Sequence, residues 1–80
     1  MTREDIYTKL NEVFQDVFDD DSIEVNDATT AADIEDWDSL SHISLIASIE
    51  AEFGVKFDMK TVLKMKNVGE LADIIESKLR

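Results

Sequence analysis

The segment Glu35-Asp36-Trp37-Asp38-Ser39-Leu40-Ser41-His42-Ile43 marks the point at which a long acidic loop becomes a helix. Asp38 has a short acidic side chain that favours the N-cap position, so the helix should begin at Ser39. A serine in the first helical turn lies near free backbone N–H groups and the positive end of the helix dipole, which together favour a phosphate. Leu40 and Ile43 are expected on the buried side of this helix, which leaves Ser39 exposed.

Two long amphipathic helices are predicted on either side of the loop. The second covers residues 39–53 and stops at Gly54, a residue typical of helix C-termini. The first covers residues 3–18 and starts at a capping-box pattern formed by Thr2 and Asp5. The apolar residues at helical spacing, expected in the core, are Ile6, Leu10, Val13, Phe14, Val17 and Phe18 in the first helix, and Leu40, Ile43, Ile46, Ile49 and Phe53 in the second.

Two shorter helices are predicted in the last third of the chain. The third covers residues 59–64, with Asp58 as its cap. The fourth runs from residue 68 to about residue 79 and follows a second capping-box pattern, Asn67 with Glu70. Their expected core residues are Val62 and Leu63, then Leu71, Ile74, Ile75 and Leu79.

The loop between the first two helices, residues 19–38, lacks both the helical and the strand period. A short helical turn is expected over residues 31–34, and residues 55–57 give only a hint of a strand. The fold class is therefore all-α, a four-helix bundle with a long first loop and a short third helix. The side chains expected to anchor the loop in the core are Ile23, Val25, Ile34 and Trp37.

The composition favours one folded domain over residues 1–80. Hydrophobic residues make up 44% of the chain, enough for one modest core. Cysteine is absent, which excludes disulfides and a thiolate nucleophile. No apolar run is long enough to span a membrane, and the N-terminus lacks the pattern of a secretory signal, so a cytoplasmic protein is expected.

The net negative charge of the chain limits the classes of molecule that it can bind. The formal net charge is -11, and no lysine or arginine occurs between Leu10 and Val55. Such a surface repels nucleic acid and anionic membranes but attracts basic protein surfaces. We therefore expect a monomer that binds neither nucleic acid nor membrane.

The order of the helices and their motifs resembles the acyl carrier proteins. Asp38-Ser39-Leu40 opens an acidic helix that ends in Glu50-Ala51-Glu52-Phe53-Gly54, and Asn67-Val68-Gly69-Glu70 opens the last helix. The resemblance covers residues 3–79. Ser39 alone is weak evidence, since Asp-Ser is an ordinary helix start; the combination is specific.

The resemblance implies that Ser39 carries a 4′-phosphopantetheine arm. A phosphopantetheinyl transferase would deliver the arm from coenzyme A with Mg²⁺, the serine oxygen attacking the pyrophosphate and displacing adenosine 3′,5′-bisphosphate. The arm's thiol would hold acyl intermediates as thioesters for enzymes of a fatty-acid, polyketide or other specialised acyl pathway. The chain itself would have no catalytic residue and no metal site.

The resemblance also implies two binding surfaces around Ser39. Acyl-loading and acyl-processing enzymes with basic docking surfaces would contact Asp36, Asp38, Leu40, Ala47, Glu50 and Glu52. The acyl chain would lie between the second and third helices, against Leu40, Ile43, Ile46, Phe57 and Leu63. For each of these five apolar residues, a plain core role is the competing interpretation.

Several residues depart from the fatty-acid type of carrier. Trp37 stands where that type has a small residue, and Trp-Asp-Ser-Leu looks more like discrete carriers of specialised pathways. Trp37 either anchors the loop in the core or lies beside the arm and selects partners. The third-helix region is basic, with Lys60, Lys64 and Lys66, and His42 is interpreted as an ordinary polar residue.

Other functions fit the residues less well. The chain lacks the residues that a catalytic site needs, since it has one histidine, no cysteine and no glycine-rich phosphate loop. The acids from Asp19 onward resemble a calcium loop, but Glu24 occupies the required glycine position. A peptidyl or aminoacyl carrier, and an acidic interaction module without a prosthetic group, remain as alternatives.

Overall fold

A computed structural model describes residues 2–79 as four α-helices around one hydrophobic core. The helices are α1 (Arg3–Val17), α2 (Ser39–Phe53), α3 (Met59–Leu63) and α4 (Val68–Leu79). A single 3₁₀ turn, Ala31–Asp33, interrupts the long loop. The all-α bundle with a long first loop and a short third helix is confirmed, and residues 55–57 form no strand. No helix within residues 2–79 is long and apolar enough to cross a membrane.

Side-chain caps fix where the first two helices begin. Thr2 and Asp5 form the predicted capping box, with the Asp5 N–H donating to Thr2 Oγ1 at 3.1 Å and the Thr2 N–H donating to Asp5 Oδ2 at 3.0 Å. Asp38 caps α2, and Gly54 ends it in the left-handed conformation at φ 67°. A glycine adopts this conformation without the penalty that a Cβ would bring. Helix α1 ends one residue earlier than predicted.

The shorter helices follow their predicted caps less closely. Asp58 caps α3 by accepting the Lys60 N–H at 2.9 Å, as predicted. At the start of α4 the Glu70 N–H donates to Asn67 Oδ1 at 2.9 Å. The Glu70 carboxylate, however, accepts the Lys66 N–H at 2.6 Å and not that of Asn67. Only half of the second capping box therefore forms as predicted.

The core is built by α1 packing against α2 and α4, with the loop folded over one end. Val25 and Trp37 of the loop are buried, and Ile23 and Ile34 pack against the core in part. The indole of Trp37 meets the Phe14 ring edge-on, with centroids 5.3 Å apart. These contacts confirm the loop anchors and explain how a loop of this length stays ordered in a compact domain.

The prediction was wrong for four apolar residues that were expected in the core. The exposed fractions are 79% for Leu40, 53% for Ile43, 66% for Leu63 and 38% for Leu79. Helix α2 is apolar on more than one side, so periodicity could not choose between the side of Leu40 and that of Leu45, which is fully buried. In the five-residue α3, Val62 points inward and its neighbour points out; Leu79 ends its helix.

Polar links join the loop to α1 and α4. The Arg3 guanidinium donates to Asp27 and Asp73 at 2.8 Å and to Glu76 at 3.0 Å. These carboxylates raise the pKa of Arg3, and hydrogen bonds from Tyr7 and then Arg3 lower the pKa of Asp27. Arg3 thereby holds three acids of an acidic protein together at the end of the bundle where α1 begins.

Candidate functional site

Ser39 is the first residue of α2 and is exposed. The preceding Asp38 accepts the Leu40 N–H at 3.0 Å and the Ser41 N–H at 2.9 Å through one carboxylate oxygen. Two N–H groups that the sequence suggested as a phosphate site are therefore already bonded to a carboxylate. The position of the serine is as predicted, but the favourable environment at this helix end is partly occupied by its own cap.

The turn that presents Ser39 is locked by Ser41. The Ser41 hydroxyl oxygen accepts the Asp38 N–H at 2.8 Å, and the hydroxyl donates to the Asp36 carbonyl at 2.9 Å. The Ser41 N–H is the largest cause of the lowered pKa of Asp38. The Asp38 carboxylate is therefore held as an ionised cap, and Ser39 lies exposed at the first position of the helix that this cap begins.

Trp37 and His42, which precede and follow Ser39 in the sequence, form a hydrogen-bonded pair. The indole N–H of Trp37 donates to His42 Nδ1 at 3.0 Å, and the two rings are nearly parallel with centroids 5.9 Å apart. An indole nitrogen only donates, so Nδ1 is unprotonated and Nε2 carries the proton of the neutral ring. His42 Nε2 lies 3.2 Å from the Val62 carbonyl oxygen and donates to it. This chain of bonds joins the loop, the start of α2 and α3.

His42 is thus more than the ordinary polar residue that the sequence suggested. Trp37 precedes the N-cap and His42 is the fourth helical residue, the spacing at which side chains on either side of a helix start pack together. That spacing is the signal in the sequence, but it is masked because such a pair is normally apolar and His42 is not. Its burial confirms that Trp37 anchors the loop in the core, and Trp37 also lines a groove beside Ser39.

A groove of about 340 Å³ opens beside Ser39 between the start of α2 and the segment that joins α3 to α4. Its floor is largely apolar and its rim carries one lysine and one asparagine. The lining includes Trp37, Ser39, His42, Leu63, Met65, Lys66 and Asn67. The sequence predicted a binding role for Ser39, for Leu63 and for Asp38, which also lines the groove, and it placed Trp37 either in the core or beside the arm.

The residues predicted to line an acyl pocket do not enclose one together. Ile46 lies in the core and Phe57 is half-buried against it. Leu40, Ile43 and Leu63 are exposed on α2 and α3, close to the groove or part of it. The structure therefore brings Leu63 alone of the five into the groove beside Ser39.

Of the residues predicted to contact partner enzymes, some are exposed and others are already bonded within the chain. Asp36, Leu40 and Ala47 are exposed. Glu50 is half-buried and accepts the Phe57 N–H at 2.8 Å, which ties down the segment after α2. Glu52 lies 3.4 Å from the Lys9 ammonium of α1. The free carboxylates near Ser39 therefore come from the loop.

A larger groove, about 620 Å³, follows the loop and is lined by five carboxylates and few apolar groups. These acids are Asp20, Glu24, Asp33, Glu35 and Asp36. Within residues 2–79, no three acidic or histidine side chains come together in a way that could hold a metal ion. The larger groove is a polar surface channel, and Ser39 does not line it.

Comparison with known proteins agrees with this geometry. Residues 8–75 match the family model described as "Phosphopantetheine attachment site". The chain is 32% identical over 78 residues to an acyl carrier protein of Thermotoga maritima, covering 98% of this chain and 96% of that protein. It is 32% identical over 82 residues to an acyl carrier protein of Coprothermobacter proteolyticus, covering 99% and 96%.

A solved structure is similar in both fold and sequence. The solution NMR structure of a holo acyl carrier protein from Geobacter metallireducens superposes with a TM-score of 0.85 and 48% identity. The match covers 91% of this chain and 84% of that one. The chain therefore belongs to the acyl carrier protein family, whose members bear a 4′-phosphopantetheine group and act as carriers, not as enzymes.

Proposed function

We propose that Ser39 is the residue that bears the 4′-phosphopantetheine arm. The observation that carries this proposal is the exposed Ser39 hydroxyl at the first position of α2, held in place by the bonded turn of Asp38 and Ser41. A transferase can reach this oxygen without unfolding the helix. Within residues 2–79 no side chain is hydrogen-bonded to the Ser39 hydroxyl as a base would be, so in this proposal the transferase supplies both the positioning and the charge neutralisation that the reaction needs.

The residues around Ser39 fit such an arm. When attached, the arm supplies a thiol, which holds an acyl group as a thioester. The groove beside Ser39 offers an apolar floor from Trp37 and Met65, along which an arm of mixed polarity can lie. Lys66 also lines this groove and offers a positive charge that can compensate a phosphodiester. The helix start offers less, because Asp38 already accepts the Leu40 and Ser41 N–H groups.

The cargo in this proposal is an acyl group of a fatty-acid, polyketide or other specialised acyl pathway. Apolar side chains on the facing parts of α2 and α3 support an acyl cargo, because they offer an apolar surface within reach of Ser39. Leu40, Ile43 and Leu63 would cover the chain, with Ile46 and Phe57 beneath them. The whole of residues 1–80 acts as one carrier domain, a monomer working in the cytoplasm.

Partner enzymes in this proposal approach over the start of α2. Leu40 and Ala47 supply apolar contacts, and Asp36 and Asp38 attract basic docking surfaces. Glu50 and Glu52 would add less than their positions suggest, because each already has a partner within the chain. Steering by the loop acids suits short visits to several enzymes in turn.

Mass spectrometry tests the attachment site. The apo protein, incubated with coenzyme A, Mg²⁺ and a promiscuous phosphopantetheinyl transferase, should gain about 340 Da, the mass of the arm. Ser39→Ala should abolish the gain and keep the helical circular dichroism spectrum. Ser44→Ala is the matched control, since Ser44 is also exposed on α2 and its loss should leave loading unchanged. Loading of the Ser39→Ala protein would disprove the assignment.

A further inference from the structure

Large apolar side chains are exposed on α2 and α3 next to Ser39. Leu40 and Ile43 lie on the first two turns of α2, and Met59 and Leu63 lie on α3. The His42–Val62 hydrogen bond joins the two helices at this point. We call these four residues the α2–α3 patch. Exposed apolar groups gathered on one side of a small protein indicate an interaction surface.

The charge beside this patch is positive, although the protein is strongly acidic overall. Residues 56–66 contain four lysines and one aspartate in a chain with a net charge of -11. All four lysines are exposed, and within residues 2–79 none of their ammonium groups forms an ion pair. These lysines are Lys56, Lys60, Lys64 and Lys66.

Helix α2 adds little negative charge to offset these lysines. Its exposed face carries Ser44, Ala47 and Ala51 beyond the apolar residues of the patch. Its two acids, Glu50 and Glu52, are bonded to the Phe57 N–H and to Lys9. Next to α3 the protein therefore presents apolar groups flanked by lysines that form no ion pair within residues 2–79, and the loop before Ser39 carries the exposed carboxylates of Glu35 and Asp36.

We propose that the α2–α3 patch binds a protein partner whose apolar contact surface is edged by carboxylates where it meets Lys60 and Lys64. The proposal rests on the carrier function above and names the chemistry of its docking partner. A desolvated apolar contact supplies the affinity, and complementary charges supply the orientation. A partner with basic groups along both edges would oppose the α3 lysines.

The two signs on either side of Ser39 allow only one docking orientation. The loop acids Glu35 and Asp36 attract positive charge, and the lysines of the α3 region attract negative charge. A partner rotated by half a turn would place like charges against each other on both sides, which is unfavourable. The surface thus selects both the partner and the direction from which it reaches the arm on Ser39.

Two amphipathic helical peptides test the proposal on ¹⁵N-labelled holo-protein. Both carry leucines along one face; glutamates flank that face in one peptide and lysines in its twin. The glutamate peptide should shift the amide resonances of Leu40, Ile43 and Leu63 at low salt, and the lysine twin should shift resonances of the acidic loop. The proposal is overturned if the glutamate peptide leaves the patch unmoved, or if the lysine twin shifts it as strongly.

Charge-reversed variants give the second measurement. Lys60→Glu/Lys64→Glu should weaken the glutamate peptide on the order of tenfold, as expected for two exposed ion pairs. The control Lys78→Glu reverses an exposed lysine on α4 that forms no ion pair within residues 2–79, and it should change affinity less than twofold. The proposal is overturned if Lys60→Glu/Lys64→Glu and Lys78→Glu weaken binding of the glutamate peptide equally. If Lys60→Glu/Lys64→Glu misfolds, Lys60→Gln/Lys64→Gln takes its place in the measurement. Loading of Ser39 is measured separately by mass, so a failure there concerns the attachment site alone.

Discussion

Replacing His42 by alanine should weaken the joint between the loop, α2 and α3. The variant removes two hydrogen bonds, from the Trp37 indole and to the Val62 carbonyl, each worth about 1 kcal/mol net. It also removes a ring stacked on Trp37 at 5.9 Å, worth about 0.5–1.5 kcal/mol. We expect a loss of about 2.5–3.5 kcal/mol from a domain whose total stability is about 5–15 kcal/mol.

Urea unfolding followed by circular dichroism and by the fluorescence of the single tryptophan measures this loss. Trp37→Phe removes the indole N–H but keeps an aromatic ring in the core, so it should cost about 1 kcal/mol. Ser44→Ala, exposed on the same helix, is the control and should change the free energy of unfolding by less than about 0.5 kcal/mol.

A double-mutant cycle of Trp37→Phe and His42→Ala isolates the bond between the two side chains. The double variant should lose about 1 kcal/mol less than the sum of the two single losses. The reason is that either single change already breaks the bond between Trp37 and His42. Additive losses, or a His42→Ala protein as stable as the Ser44→Ala control, would refute the claim that this pair holds the site together.

Three further predictions concern two glycines and the pH dependence of the stability that Asp38 contributes. Gly69→Ala should lower the free energy of unfolding by about 1–3 kcal/mol, because a Cβ there would lie 2.7 Å from the Asp27 carbonyl oxygen. A Gly69→Ala protein of unchanged stability would contradict this close packing. Gly54→Ala has open space for its Cβ but keeps a backbone φ of +67°, so it should lose about 1–2 kcal/mol in thermal unfolding. Hydrogen bonds from Ser41 and Leu40 lower the pKa of Asp38 in the folded protein. Ionised Asp38 therefore stabilises the fold fully above its ordinary pKa, about 3.9, and this contribution is lost as the pH falls through the lower pKa of the folded state. Asp38→Asn should therefore lose less stability than the native protein between pH 7 and pH 3 in urea titrations; equal losses would contradict the ionised cap.

The helix ends could be predicted because their signals are local. Thr2 with Asp5, Asp38 and Gly54 each act through backbone atoms within a few residues of themselves, so the sequence contains the whole interaction. The order and number of the helices follow from these ends. The start of α2 at Ser39 was predicted for the same reason, since an N-cap fixes which residue comes first. The exposure of Ser39 is also observed, but the burial of Leu40 and Ile43 from which it was predicted is not.

The sides that face the core could not be predicted in the same way. Helix α2 offers apolar residues all along one broad arc, and only the position of α1 decides that Leu45 is buried and Leu40 exposed. The roles of Glu50 and His42 likewise depend on residues of α3 and the segment before it, which the sequence does not place. Long-range contacts thus decided what periodicity left open.

The incorrect burial predictions near Ser39 share a physical cause. Leu40, Ile43 and Leu63 have the composition of core residues, and burying such side chains would contribute about 1.5–3 kcal/mol each. A domain this small has little stability to forgo. Among residues 2–79, four of the five large exposed apolar residues nevertheless lie on α2 and α3, the two helices that flank the groove, and the fifth ends α4. Departures from the pattern of a stable core are expected at functional sites, so their concentration around one exposed serine supports contact with cargo and partners there.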